Sequence, residues 1–448
     1  MTDTLHIGSA AGFSGDRTDA ALPVVRSLIA HGGPSALIFE TLAERTLALA
    51  QLARRADPSK GYEPLLDELL APILGLCLAH HIPIISNFGA ANPQGAALRI
   101  RALALELGLP APRIAVVWGD DLAGPEHRDM LRTQLGALCD EQDIVCANAY
   151  QGAEAMAAAL GAGAQIVVAG RVADPSLTLA PAMAHYGWAS NDWDRLARAT
   201  MAGHLLECGA QVTGGYFADP GFKDVPNLHD VGFPIAAIDA DGHCVIGKAA
   251  NTGGLVSEQT VKEQLLYELH NPAAYLTPDV TADISQAQVR QLGKDRVQLS
   301  GVRGHARPDE LKVNVFYSGG WFAEGEISYA GPRAEARARL AADVLQRRLG
   351  DTLTLRVDLI GAVSVLGDDT GRLLAATPAG DAQDVRLRVA ATHAERGAAE
   401  RLGREVNALY TCGPAGGGGV RTHLRARLNT VSCFVPRASA PAGYTLLD

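Results

Sequence analysis

The chain has 448 residues, 48% hydrophobic and 20% charged, with a formal net charge of −10; this exceeds the roughly 250–300 residues at which one hydrophobic core stops growing, so two domains are expected. The composition is that of a folded globular protein, and an acidic balance without any Lys/Arg block excludes a nucleic-acid footprint. Seven scattered cysteines with no CxxC pair fit a reducing cytoplasm better than a disulfide framework or a cysteine-rich zinc site, and neither a signal peptide at MTDTLHIGSAAG nor a run of about 18 apolar residues points to a membrane.

From residue 5 to about 200 one pattern repeats: a short apolar run, a polar or glycine-rich turn, then an Ala/Leu-rich helical stretch. The runs are LHIGS (5–9), ALIFE (36–40), IPIIS (82–86), RIAVVW (113–118), DIVCA (143–147) and QIVVAG (165–170). Being almost continuously apolar, they predict parallel strands covered by helices such as ERTLALAQLARRA, PQGAALRIRALALELG and GAEAMAAALGAG. After about residue 210 the texture becomes alternating: DRVQLSG (295–301), LKVNVFYSGGWFAEGEISY (311–329), LTLRVDLIG (353–361), VRLRVAAT (385–392) and LNTVSCFV (428–435), with helices near 332–349 and 395–409. Ser318-Gly319-Gly320 between two alternating runs predicts a hairpin. The expected fold is thus α/β: an N-terminal, mostly parallel sheet flanked by helices over 1–218, then a C-terminal α+β domain over 219–448, joined by the Pro/Gly/Asp-rich segment 219–233.

Open parallel sheets bind ligands beyond the carboxyl ends of their strands. Here those ends are polar: Ser9 and then Ser14, Asp16 and Arg17; Glu40; Asn87 and Asn92; Asp120 and Asp121; Asn148 and Tyr150; Arg171 and Asp174. About half of these are expected to cap helices or shape turns, the ordinary work of Asp and Asn. Asp120, Asp121 and Asp174 beside Arg171 form the set best suited to acid/base chemistry, or else to a hard metal. His204 and Glu207, three apart, share a helix face; a salt-bridged pair is the first reading, with an acid/base pair or two metal ligands as alternatives.

In YTCGPAGGGGVRTHLR, residues 410–425, the glycines Gly416, Gly417, Gly418 and Gly419 can turn their N–H groups toward one anion, with Arg421 and Arg425 adding charge; a tight helix-to-strand turn is the other reading. No Lys-Ser/Thr follows, so the run is not a Walker A loop. Cys412 beside it is a weak nucleophile candidate, having no visible His partner.

The stretches IGSAAGFSGDR, LIFETLAERTLAL, ISNFGAANPQGAA, NAYQGAEAMAAALGAGAQIVVAGRVADPSLTLAPAMAHYGW, AGHLLECGAQVTGGYF, SGVRGHARPDELKVNVFY and ALYTCGPAGGGGVR resemble the acyclic terpene utilisation (AtuA) family, in order and over nearly the whole chain. The resemblance implies a place in the breakdown of acyclic terpenoids and other branched acids through coenzyme A thioesters. It implies no catalytic residues. It also implies a small ferredoxin-like segment, expected here as a separate subunit.

Combining residues and resemblance, the expected function is a lyase or hydratase on an acyl-CoA thioester or related carboxylate. Asp120, Asp121, Asp174, His204 and Glu207 are its acid/base candidates. Ser14, Asp16, Arg17, Asn87, Asn92, Asn148, Arg171, Gly416 to Gly419 and Arg421 are its binding candidates, Arg171 as a carboxylate clamp and the glycine nest closing over the rim. No metal is assigned and no cofactor beyond coenzyme A as part of the substrate. A thioester hydrolase and a non-catalytic acyl-CoA-binding subunit are the alternatives, and a homo-oligomer is expected at this size.

Overall fold

The computed structural model describes residues 4–447. They form two compact units: unit 1 runs to Val315 and resumes at Val431, and unit 2 is Phe316–Thr430.

Unit 1 is built on a ten-stranded mixed sheet. Its centre consists of β1 (Leu5–Ser9), β2 (Ser35–Phe39), β3 (Ile84–Ser86), β4 (Ile114–Trp118) and β6 (Ile166–Val168), in the order β1-β2-β3-β6-β4 and parallel throughout. Five of the six apolar runs are therefore parallel strands, as their continuous apolar character requires. Successive residues point to opposite faces, so Leu37, Phe39 and Ile84 join one core with helices α1 (Ala21–His31) and α3 (Pro93–Glu106). Ile38, Ile85 and Val167 join the other, with α4 (Glu154–Gly161), α5 (Ser176–Tyr186) and α6 (Trp193–Leu206). Helix α2 (Glu44–Ala56) follows β2, and α7 (Glu258–Leu266) packs near the end of α6.

The sixth run, β5 (Ile144–Ala149), departs from the expectation. It pairs with the start of β14 (Glu310–Ala330), where Tyr150 N donates to Lys312 O at 2.9 Å. Leu311, Val313 and Val435 bury it in a small core of its own, so it needs no place in the main sheet.

The alternating strands that follow extend the same sheet antiparallel: β7 (Pro234–Ile238) against β1, then β8 (Cys244–Lys248), β12 (Arg296–Ser300) and β11 (Gln288–Gly293). Strands β9 (Tyr275–Leu276), β10 (Thr281–Asp283) and β13 (Arg303–His305) form a separate small sheet. On the far edge β18 (Gly443–Leu447) pairs antiparallel with β4.

Unit 2 runs β14, α8 (Ala334–Leu349), β15 (Arg356–Ile360), β16 (Asp384–His393), α9 (Arg396–Cys412), β17 (Gly418–Pro436), with strand order β15-β16-β14-β17. This is the β-α-β-β-α-β, ferredoxin-like arrangement. That topology therefore lies within this chain. The expected hairpin at Ser318-Gly319-Gly320 does not form, because β14 is one strand of 21 residues. Gly320 has φ +79°, and a Cβ there would stand 2.5 Å from the carbonyl oxygen of His393; glycine answers a close approach of the neighbouring strand, not a chain reversal. Among the described residues no helix is long and apolar enough to cross a membrane.

Candidate functional site

The parallel strands of unit 1 end on one rim, and side-chain hydrogen bonds stitch those ends together. After β3, Asn87 donates to Glu40 Oε1 at 2.9 Å and accepts from the N–H of Thr41 at 2.7 Å, tying it to the end of β2. After β4, Asp120 Oδ2 accepts from Asn148 Nδ2 at 2.9 Å and from the N–H of Arg171 at 2.8 Å, tying β4 to β5 and β6. Gly170 permits this: a Cβ there would lie 2.7 Å from Asp120 Oδ2.

Arg171 is the pillar of the site. It is only 1% exposed, and its guanidinium donates to the carbonyls of Leu42 and Val172 and to Asp174. It also lies over the Tyr150 ring, 4.6 Å from the centroid. Both arms of the fork, which was expected to hold a substrate carboxylate, make hydrogen bonds within the protein. The Tyr150 hydroxyl donates to Glu44 at 2.6 Å, and Lys312 stands 3.6 Å from the same carboxylate.

Asp174, paired with Arg171, is the open member: its side chain is 37% exposed. A second group, near enough for the Asp174 charge to act on it, lies at the end of α6. His204 Nδ1 is 2.9 Å from Glu207 Oε1 and 3.4 Å from the Tyr275 hydroxyl, with the Tyr275 ring against the imidazole. Glu207 Oε2 is buried and has no hydrogen-bond partner among the described residues. Gly12 lets the β1–α1 loop close on this end of α6, since a Cβ there would come within 2.6 Å of Gly209 N.

Burial and like charge set the protonation of the cluster. Burial, reinforced by Asp174, pushes the Glu40 carboxyl up to about 8. Burial raises Glu207 to about 7 against the pull of His204, with Asp174 and Glu268 also raising it. Asp120 is raised by burial to about 6. For His204, burial is outweighed by Glu207, which favours the imidazolium. Several carboxyls therefore change protonation near neutral pH in one place, the condition for moving protons in both directions.

The remaining candidates are mostly taken up in turns, caps and ion pairs, Asp16 close to Gly209 at the end of α6. Asp121 is exposed, and its Oδ1 accepts from Ala123 N at 3.0 Å, shaping a turn. Asp16 caps the N–H of Gly12 at 2.9 Å, and Arg17 pairs with Asp19 at 2.9 Å. Asn92 caps α3 by accepting from Gly95 N, and its Nδ2 holds the carbonyls of Pro58 and Lys60. Ser14 lines a cavity beside the rim.

In unit 2 the glycine run makes the turn from α9 into β17. Gly416 and Gly419 have φ +72° and +66°, and a Cβ on Gly417 would stand 2.8 Å from Ile327. Arg421 is exposed on β17, and the exposed Cys412 thiol stands 3.7 Å from the Thr411 hydroxyl. Among the described residues no group of three or more His, Cys, Asp or Glu is placed to hold a metal ion.

Reading the residues alone leaves Glu44, Tyr275 and Lys312 out of the site. Glu40 and Tyr150 are marked only as polar strand ends. No local pattern singles out Tyr275 or Lys312, which long-range folding delivers.

The fold and rim together define an α/β protein with a cluster of titratable groups beyond the carboxyl ends of a parallel sheet. The chain belongs to the acyclic terpene utilisation family, matching the family protein AtuA over residues 5–446. No curated protein and no solved structure matches it.

Proposed function

We propose that the chain is an enzyme of acyclic terpenoid breakdown, a lyase or hydratase that moves protons on a branched acyl-CoA thioester or related carboxylate. The observation that carries this reading is the placement of Asp174. It is the open carboxylate of the cluster, near enough to Glu40 and to Glu207 for its charge to help raise both of these buried carboxyls toward neutrality. One group can then remove the proton beside a carbonyl while another delivers a proton to the departing oxygen; in the direction of addition the second takes a proton from the adding water and the first returns one to the carbon. Glu207, oriented by His204 and keeping one oxygen without a hydrogen-bond partner among the described residues, is the natural partner of Asp174. Asp120 and Arg171 hold the strand ends in register.

The test is mass spectrometry of products from a panel of short and long branched acyl-CoA thioesters and their free acids. Asp174→Asn and Glu207→Gln should each lower turnover about 10²-fold or more, while Asp121→Ala, at an exposed turn, leaves it unchanged. Wild-type turnover in Asp174→Asn would sink the reading. A thioester that binds wild-type protein and is recovered unchanged would favour a non-catalytic binding subunit.

A further inference from the structure

Strand β17 ends the sheet of unit 2, with β14 on one side and no strand on the other among the described residues. Over its unit 2 part, 418–430, successive side chains alternate between two faces. Val420 and Leu424 turn toward the helices and pack against their core, while Arg425 lies over the Phe322 ring on the opposite face, 4.9 Å from the centroid. Arg421, His423 and Arg427 share the parity of Arg425. One face of an edge strand therefore carries three arginines and a histidine, all exposed, with neighbours about 7 Å apart.

The sheet does not neutralise these arginines. Its acidic groups are already taken: Arg386 pairs with Glu326 at 2.9 Å, and Arg388 with Glu324 at 2.9 Å and with Asp358 at 2.7 Å. Among the described residues Arg421, Arg425 and Arg427 form no ion pair, in a chain whose net charge is −10. Beside the other face of β17 runs a groove of about 480 Å³, between the strand and α9. Ala399, Gly403 and Asn407, four apart on α9, form one wall, and Val420, Thr422 and Leu424 form the other. Gly403 brings the helix close, for a Cβ there would stand 3.4 Å from Thr422 Cβ. The backbone edge is open: the Val420 N–H is accepted by the Tyr410 hydroxyl at 3.1 Å, and among the described residues no strand covers the edge beyond it.

We propose that this edge is a docking strand for an acidic, extended segment of another protein. A strand added to β17 makes main-chain hydrogen bonds with the open edge and points alternate side chains to its two faces. Its acidic residues then meet Arg421, Arg425 and Arg427, while the small or apolar residues between them enter the groove against α9. Charge selects this partner over a second copy of the chain, which would bring arginine against arginine, the arrangement by which edge strands repel their own kind. A carboxylate directly opposite an arginine on a neighbouring strand is instead stabilising. A nucleic acid would engage the arginines but has neither a peptide ladder for the edge nor side chains for the groove. The proposal is independent of the chemistry at the rim of unit 1.

The probe is the fluorescein-labelled peptide Glu-Val-Glu-Thr-Glu-Val-Glu, titrated into the full chain and followed by anisotropy. Beside it run its lysine counterpart, a version N-methylated at alternate residues, and a ten-nucleotide RNA. The acidic peptide should bind and the lysine peptide should not. Three facing charge pairs, each worth about twofold, should make the variant Arg421→Ala/Arg425→Ala/Arg427→Ala bind it roughly tenfold more weakly. N-methylation removes strand hydrogen bonds and leaves the charge, and should cost at least as much affinity. Gly403→Leu, which fills the groove from α9, should also weaken the peptide and serves if the arginine variant does not fold. No binding of the acidic peptide to the wild type, equal binding of the N-methylated peptide, wild-type affinity in both variants, or tighter binding of the RNA would each overturn the proposal. Self-association of the wild-type chain that excludes the peptide and is absent from the arginine variant would overturn it too, by placing a second copy on this edge.

Discussion

Glu40 ends a buried strand with its carboxyl held near 8, so the folded chain binds that proton more tightly than the unfolded chain does. The sign follows directly. Its contribution to stability is fully present below the ordinary carboxylate range and fades as pH rises through about 8. Glu207 and Asp120, raised to about 7 and 6, act in the same direction. Thermal midpoints should therefore fall from pH 5 to pH 8.5, and Glu40→Gln should flatten the upper part of that fall. Glutamine keeps the Oε1 that accepts from Leu42 N and Asn87 Nδ2 while removing the ionisation. Circular dichroism melts across the range check this; identical slopes for variant and wild type would show that Glu40 does not titrate there.

At the scale of elements, the rim is a set of strand ends whose spacing depends on glycines. Gly170→Ala would place a methyl carbon 2.7 Å from Asp120 Oδ2 and 2.9 Å from the carbonyl of Ala90, neither of which is the end of a long flexible side chain. The expected cost is about 1–3 kcal/mol of stability, with turnover lost beyond the fraction unfolded because Asp120 is pushed off the Arg171 N–H. Urea titration and kinetics on the same samples separate the two effects; full activity at reduced stability would place Asp120 outside the working site.

This rim was legible in the sequence because each apolar run is followed at once by Asp, Asn, Arg or Glu, and strand ends on one side of a parallel sheet must converge. His204 and Glu207 were legible from their spacing on a helix. What was not legible is which residues are used up in stitching the strand ends and which stay open: Asn87 and Asp174 look alike as strand-end polar residues, and burial decides between them. The segment 311–329 misleads for a related reason. Two-residue alternation is the same in a hairpin and in one long strand, and Ser-Gly-Gly suits either a turn or the close neighbour that Gly320 has.

At the scale of the whole molecule, unit 2 leaves unit 1 at Val315 and returns at Val431. The two crossing points adjoin, for Ser432 Oγ donates to Asn314 Oδ1 at 2.7 Å within unit 1. Replacing Phe316–Thr430 with a short glycine-containing turn should therefore leave unit 1 folded with a single cooperative melt. Thermal denaturation followed by circular dichroism checks this; a variant without a cooperative transition would show that unit 1 needs unit 2 to fold.

The same connectivity makes biosynthesis of the main sheet slow to finish. Strand β4, which leads into Asp120, has β6 on one side and β18 on the other, and all of unit 2 lies between β4 and β18 in the chain. While a ribosome translates unit 2, at about 5–20 residues per second, the outer backbone groups of β4 have no native partner. An open, buried-type strand edge of that kind is what chaperones hold and what aggregates recruit. The growing chain is thus most exposed to misassembly late in its synthesis, at the strand that delivers Asp120 to the rim.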